Sequence, residues 1–147
     1  MDPRTPPTLS ELTTYLLSKT GKEARSRLAA RLAEEGLRLW HMAVLAALAD
    51  FGPHAQRDLA LRVAVDASDI VKVLDDLAEA GYAERARDTV DRRRVNVAIT
   101  PEGRTALNRL RLKAAVVQDV ILAPLDGDER DQLHALLSRV YDGIAGA

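Results

Sequence analysis

A chain of 147 residues that is 47% hydrophobic carries enough apolar side chains for one globular core. It has no cysteine, which excludes disulfides, thiolate metal sites and cysteine-based oxidation sensing, and its net charge of −1 gives no blanket attraction for nucleic acid. Aromatics make up only 3% beside abundant alanine, leucine and arginine, which favours helices packed through Leu and Ala. No run approaches the roughly 20 apolar residues of a membrane span, and Met1-Asp2-Pro3 opens no signal peptide, so a cytoplasmic protein without a membrane partner is expected.

Residues 1–7 are proline-rich and expected to be loosely ordered. Thr8-Leu9-Ser10-Glu11 has the spacing of a capping box, which predicts a helix from there to about Glu35, ended by Gly36. At about 1.5 Å per residue that helix would run roughly 40 Å, longer than a compact lobe needs. Leu9, Leu12, Tyr15, Leu16, Leu28 and Leu32 mark its apolar faces, and Gly21 weakens its middle. A second helix is expected over residues 38–50, with Leu39, Val44, Leu45 and Leu48 inward, until Phe51-Gly52-Pro53 breaks it.

Residues 55–100 then read as a helix-turn-helix running into a β-hairpin. Residues 56–62 form its short first helix, with Leu59 and Val63 toward the core and Gln56 and Arg57 near the exposed side. After a turn at Ala64-Val65, Asp66 stands where its side chain would cap the next helix. That helix turns Ile70, Val73, Leu74 and Leu77 inward and leaves Ser68, Lys72, Asp75 and Asp76 outward. Gly81 stops it, since a left-handed position costs glycine little. Residues 82–87 turn strand-like and residues 88–92 form a polar loop. Val95, Val97 and Ile99 then alternate with Arg94, Asn96 and Ala98 as a half-buried return strand. Residues 85–94 concentrate five arginines against two acids, whereas residues 126–131 hold four acids against one arginine. Charge is thus distributed even though its sum is small.

Beyond the hairpin, Thr100-Pro101 supplies a capping hydroxyl followed by proline at the first helical position. A helix should run to about Leu122, before Pro124. Asp126-Gly127-Asp128-Glu129 has capping-box spacing for a last helix to about Ile144. These outer helices carry more apolar stripe than a small lobe can cover.

The ordered set Leu59-Ala60, Ser68, Leu74-Asp75-x-Leu77, Gly81-Tyr82-x-x-Arg85, Asp91-Arg92-Arg93 and Thr100-x-x-Gly103 resembles the multiple antibiotic resistance regulator (MarR) family. It is densest over residues 55–110. The resemblance implies a mainly α fold with a small β-hairpin wing, a winged helix-turn-helix flanked by long dimerisation helices. The 147 residues would be one such domain, with residues 8–36 and 101–145 as dimerisation helices and residues 37–100 as the DNA-binding lobe. It also implies a homodimeric, sequence-specific regulator of transcription, most simply a repressor, on a pseudo-palindromic operator.

The residue types fit that expectation. Ser68, Asp69 and Lys72 occupy the part of the recognition helix that meets base edges or phosphates. Gln56 and Arg57 lie beside it, and Arg85 and Arg87 are candidate phosphate contacts. By the family pattern an arginine of the Asp91-Arg92-Arg93 tip enters the minor groove while another braces on the aspartate. Period-2 alternation puts Arg92 and Arg94 together, so either is the expected groove residue, with Arg93 and Asp91 as the brace. The resemblance further implies release by a small aromatic or carboxylate ligand, for which Tyr15, Arg38, Trp40 and His41 are the candidate residues. Structural packing is the plainer role for Trp40 and His41. His41, His54 and His134 are scattered, so no metal or other cofactor is expected. No nucleophile elbow, Walker loop, dinucleotide fingerprint or H-E-x-x-H points to an enzyme. A winged helix used only to dock protein is the alternative.

Overall fold

A computed structural model describes residues 1–147. Helices α1 (Pro7–Ser10), α2 (Thr13–Ala33) and α3 (Leu39–Phe51) lead to a two-residue strand β1 (His54–Ala55). Helices α4 (Gln56–Arg62) and α5 (Ala67–Glu79) follow. Strands β2 (Ala83–Arg87) and β3 (Val95–Ile99) come next, before α6 (Pro101–Ile121) and α7 (Gly127–Ala145). The strands form one antiparallel sheet in the order β1-β3-β2, with Arg85 opposite Val97 and His54 pairing Val97 on its other side. The expected mainly helical winged architecture is what forms.

One core serves the winged lobe. Leu32 of α2, Val44, Leu45 and Leu48 of α3, Leu59 of α4, Ile70, Leu74 and Leu77 of α5, Val97 of β3 and Leu110 of α6 are all buried within it. Each such side chain contributes about 1.5–3 kcal/mol relative to exposure, which is why the spacing in α5 dictates its orientation. Gly81 at φ 80° accommodates the sharp exit, where the Tyr82 amide donates to Leu77 O at 2.8 Å and the Gly81 amide to Ala78 O at 3.0 Å. Gly36 ends α2 by the same device.

Three local expectations need correction. The predicted helix over residues 8–36 is divided, because Leu12 adopts an extended conformation between α1 and α2. The Thr8–Glu11 capping box does not form. The prolines start α1 one residue earlier, with Pro7 preset for the first helical position and Pro6 outside it. Asp66 is the N-cap of α5 by backbone geometry, yet its exposed side chain makes no capping bond. Water can satisfy an exposed helix start at little cost. By contrast, Thr100 Oγ1 accepts from the Gly103 amide at 2.9 Å, and the Asp126–Glu129 box closes in both directions at 2.9 and 3.0 Å.

The outer helices are poorly covered. No residue of α7 is buried, and α7 leaves Leu136, Val140, Tyr141 and Ile144 about half or more exposed. Leu112, Val116 and Val120 of α6 are likewise exposed, as are Leu12, Leu16 and Leu17 at the other end of the chain. No helix is long and apolar enough to cross a membrane.

Candidate nucleic-acid interface

The outer face of α5 and the wing lie on either side of a tightly bonded joint. Thr100 Oγ1 donates to Gly81 O at 2.6 Å, and the Thr100 amide donates to Tyr82 O at 3.0 Å. The end of α5, the root of the hairpin and the start of α6 are thereby fixed together.

On α5, Ser68 and Lys72 are exposed, as is Arg57 on α4, while Asp69 and Gln56 are half-buried. Lys72 Nζ is ion-paired to Asp76 Oδ1 at 3.0 Å. Asp76 also bonds His41 Nε2 through Oδ2 at 3.0 Å. The Lys72 ammonium, then His41, holds the Asp76 carboxyl below the usual carboxylate range. Asp75, read from the sequence as an outward residue, pairs with Arg85 of β2 at 2.7 Å. That bridge ties β2 to α5.

The wing is organised by Asp88, a residue the sequence did not single out. Its Oδ1 accepts from the Val90 and Asp91 amides at 2.7 and 3.1 Å, and its Oδ2 from Asn96 Nδ2 at 3.2 Å. These bonds, the Val90 amide foremost, depress the Asp88 carboxyl below its ordinary range. Arg87 Nη1 donates to Arg92 O at 2.8 Å, which pins the backbone and leaves the exposed Arg92 guanidinium without an ion-pair partner. Arg93 stays 93% exposed while its amide and Nε donate to Asp91 Oδ1 at 3.0 and 3.4 Å. Arg94 leans back toward α4, where Asp58 Oδ2 lies 3.4 Å away. Arg92 and Arg93 therefore stand at the tip, and Arg94 is drawn toward the lobe.

A cavity of about 470 Å³ adjoins α5, and its lining includes Arg38, Trp40, His41, Lys72 and Asp76. His41 is 4% exposed and both its ring nitrogens are engaged: Nδ1 accepts from the Arg38 amide at 2.8 Å. The neutral ring must then carry its proton on Nε2, where it donates to Asp76. Trp40 is 47% exposed, outside the core where packing would have placed it. Arg38 and Trp40 also border a larger apolar hollow of about 1210 Å³ between α2, α6 and α7. Tyr15 lines neither space. It sits on α2 with Lys19 Nζ 5.6 Å from its ring, so the structure brings together Arg38, Trp40 and His41 but not Tyr15. No group of three or more potential ligands is placed to hold a metal ion.

A further set of contacts joins α6 to the end of α2 and to the lobe at Tyr82. Arg109 of α6 donates to Glu35 Oε1 at 3.0 Å and to Tyr82 Oη at 3.3 Å, and Lys113 Nζ reaches Glu34 at 2.8 Å. Sequence spacing held no sign of them, because the partners lie far apart in the chain.

Residues 35–94 match the model of the MarR family. The crystal structure of the PcaV transcriptional regulator from Streptomyces coelicolor is 30% identical, with a TM-score of 0.72 over 92% of this chain and 99% of that one. The chain belongs to the MarR family. PcaV has also been solved in complex with its natural ligand. A putative transcriptional regulatory protein for the hcr operon of Thauera aromatica is 41% identical over 88 residues, 59% of this chain and 52% of that protein. This chain thus matches about half the length of that curated relative. A mutant of MarR from Escherichia coli, solved with operator DNA, shares the fold at 21% identity, with a TM-score of 0.70 over 86% of this chain and 91% of that one.

Proposed function

We propose that this MarR-family protein is a homodimeric, sequence-specific DNA-binding regulator that represses transcription by occupying a pseudo-palindromic operator. The observation that carries this reading is the pairing of an exposed recognition-helix face with a wing tip bearing exposed Arg92 and Arg93, locked in one rigid unit by Thr100. Ser68, Asp69 and Lys72 meet the major groove, with Gln56 and Arg57 beside them. Arg92 and Arg93 reach the flanking minor groove, Asp91 aims Arg93, and Arg94 sets the wing against α4 through Asp58. Arg85 and Arg87 face phosphate or brace the wing. The operator complex of the Escherichia coli relative supports this use of the fold.

A second copy covers the apolar stripes of α1, α2, α6 and α7, which a single chain leaves in water. Two-fold symmetry then places the recognition helices in successive major grooves, with half-sites about one helical turn apart. The cavity beside α5 takes a small aromatic or carboxylate effector. Arg38, whose guanidinium makes no ion pair, holds the carboxylate, and Trp40 and His41 form the wall. A ligand-bound PcaV structure supports an effector in this fold. Binding there shifts the dimer away from the DNA-competent spacing.

Selection from a random duplex pool tests the reading. Enrichment of an inverted repeat with half-site centres about 10 base pairs apart is expected. A protein that enriches no sequence, while remaining folded, favours a module that docks protein.

A further inference from the structure

Lys72 is the one cation on the outer face of α5, yet its ammonium is committed to Asp76, one turn along the same helix. A helix-surface pair of this kind is ordinarily mobile and weak. Here the carboxylate is held from a second side. The buried His41 of α3 donates to its other oxygen, and His41 is itself fixed by the amide of Arg38, the N-cap of that helix. Asp76 is only 35% exposed, whereas Lys72 is 78% exposed. The anchored member of the pair is therefore the acid, and the mobile member is the lysine.

We infer that Asp76 is a positioning residue that restrains Lys72 from the DNA, and that His41 anchors the carboxylate for that task. The inference rests on the proposed DNA reading. Lys72 must leave Asp76 to reach a phosphate or a guanine edge, so every binding event breaks one ion pair. The strength of that pair sets part of the affinity. The chain Arg38 amide–His41–Asp76–Lys72 runs along the wall of the 470 Å³ cavity, and it joins the N-terminus of α3 to the recognition helix. Asp76 acts through Lys72 and need not touch DNA.

The test is a double-mutant cycle in duplex binding, read by fluorescence anisotropy on the inverted repeat that the wild-type protein selects. Asp76→Asn keeps an oxygen to accept from His41 and removes the charge that holds Lys72. It should tighten binding about two- to fivefold, the range of an exposed ion pair. The slope of log affinity against log salt should stay close to that of the wild type, because Lys72 reaches the same DNA partner in both proteins. In a Lys72→Met background the same substitution should leave affinity unchanged. Equal tightening in both backgrounds would reduce Asp76 to one acid among several repelling DNA, and no tightening in either would remove the restraint; both overturn the inference. A wild-type protein that selects no duplex contradicts the DNA reading itself, a failure visible before either variant is made.

Discussion

Gly103 and Tyr82 touch where the first turn of α6 crosses the root of the wing: a Cβ at Gly103 would collide with the Tyr82 carbonyl oxygen and lie 2.8 Å from Ile99 Cγ1. The colliding atom is backbone and is already bonded to the Thr100 amide, so it cannot swing aside. Gly103→Ala should therefore destabilise the fold by about 1–3 kcal/mol, as overpacking does, although alanine is the better helix former. Urea denaturation checks this. A neutral or stabilising result would mean that α6 can move off the hairpin.

Thr100 serves the same joint from the other side. Thr100→Val keeps the shape but strands the Gly103 amide and the Gly81 carbonyl, and should cost about 1–2 kcal/mol. Thr100→Ser should recover most of that loss. The comparison isolates the hydroxyl from the packing, and equal losses in the two variants would show that the methyl matters as much as the hydroxyl.

Ala64 holds φ 55° in the turn between α4 and α5, a left-handed conformation that costs a non-glycine residue about 1–2 kcal/mol. Glycine relieves that strain and costs about 0.4–1 kcal/mol through the unfolded chain. Ala64→Gly is expected to be neutral or stabilising by about 1 kcal/mol in thermal or urea unfolding.

The Asp88 bonds make wing order depend on pH in a defined direction. Its carboxyl is depressed below the ordinary 3.8 by the Val90 and Asp91 amides and by Asn96. A depressed acid stabilises the structure above its unfolded pKa and ceases to do so as pH falls through the folded value. Amide resonances of Val90 and Asp91 should hold through about pH 5 and move only below about pH 4. Asp88→Ala should abolish that titration and weaken duplex binding without lowering global stability much.

Much of this was legible because it is local. The period of Ile70, Val73, Leu74 and Leu77, the stop at Gly81 and the Thr100-Pro101 start all lie within a few residues of what they control. The alternation from Val95 to Ile99 does too. Strand β1 escaped because two residues carry no alternation, and its place is set only by pairing with Asn96 and Val97. His41 and Asp76 are 35 positions apart, so only the packing of α3 on α5 joins them. Trp40 looked like a core residue by type alone, and its half exposure follows from where α3 meets the cavity. The start of α1 reflects a choice between two nearby helix starts, which Pro6 and Pro7 decided.

The most direct measurement is the anisotropy of a labelled duplex from the region upstream of the chain's own coding sequence, against a scrambled duplex, across a salt series. Wild-type protein should bind the upstream duplex preferentially, with log affinity falling linearly in log salt. Replacing Arg92 and Arg93 together with glutamine should flatten that slope by about 0.9 for each lost phosphate contact. Preferential binding that survives the double replacement with an unchanged slope would contradict the role given to the wing. Absence of binding to any duplex at low salt would contradict the account as a whole.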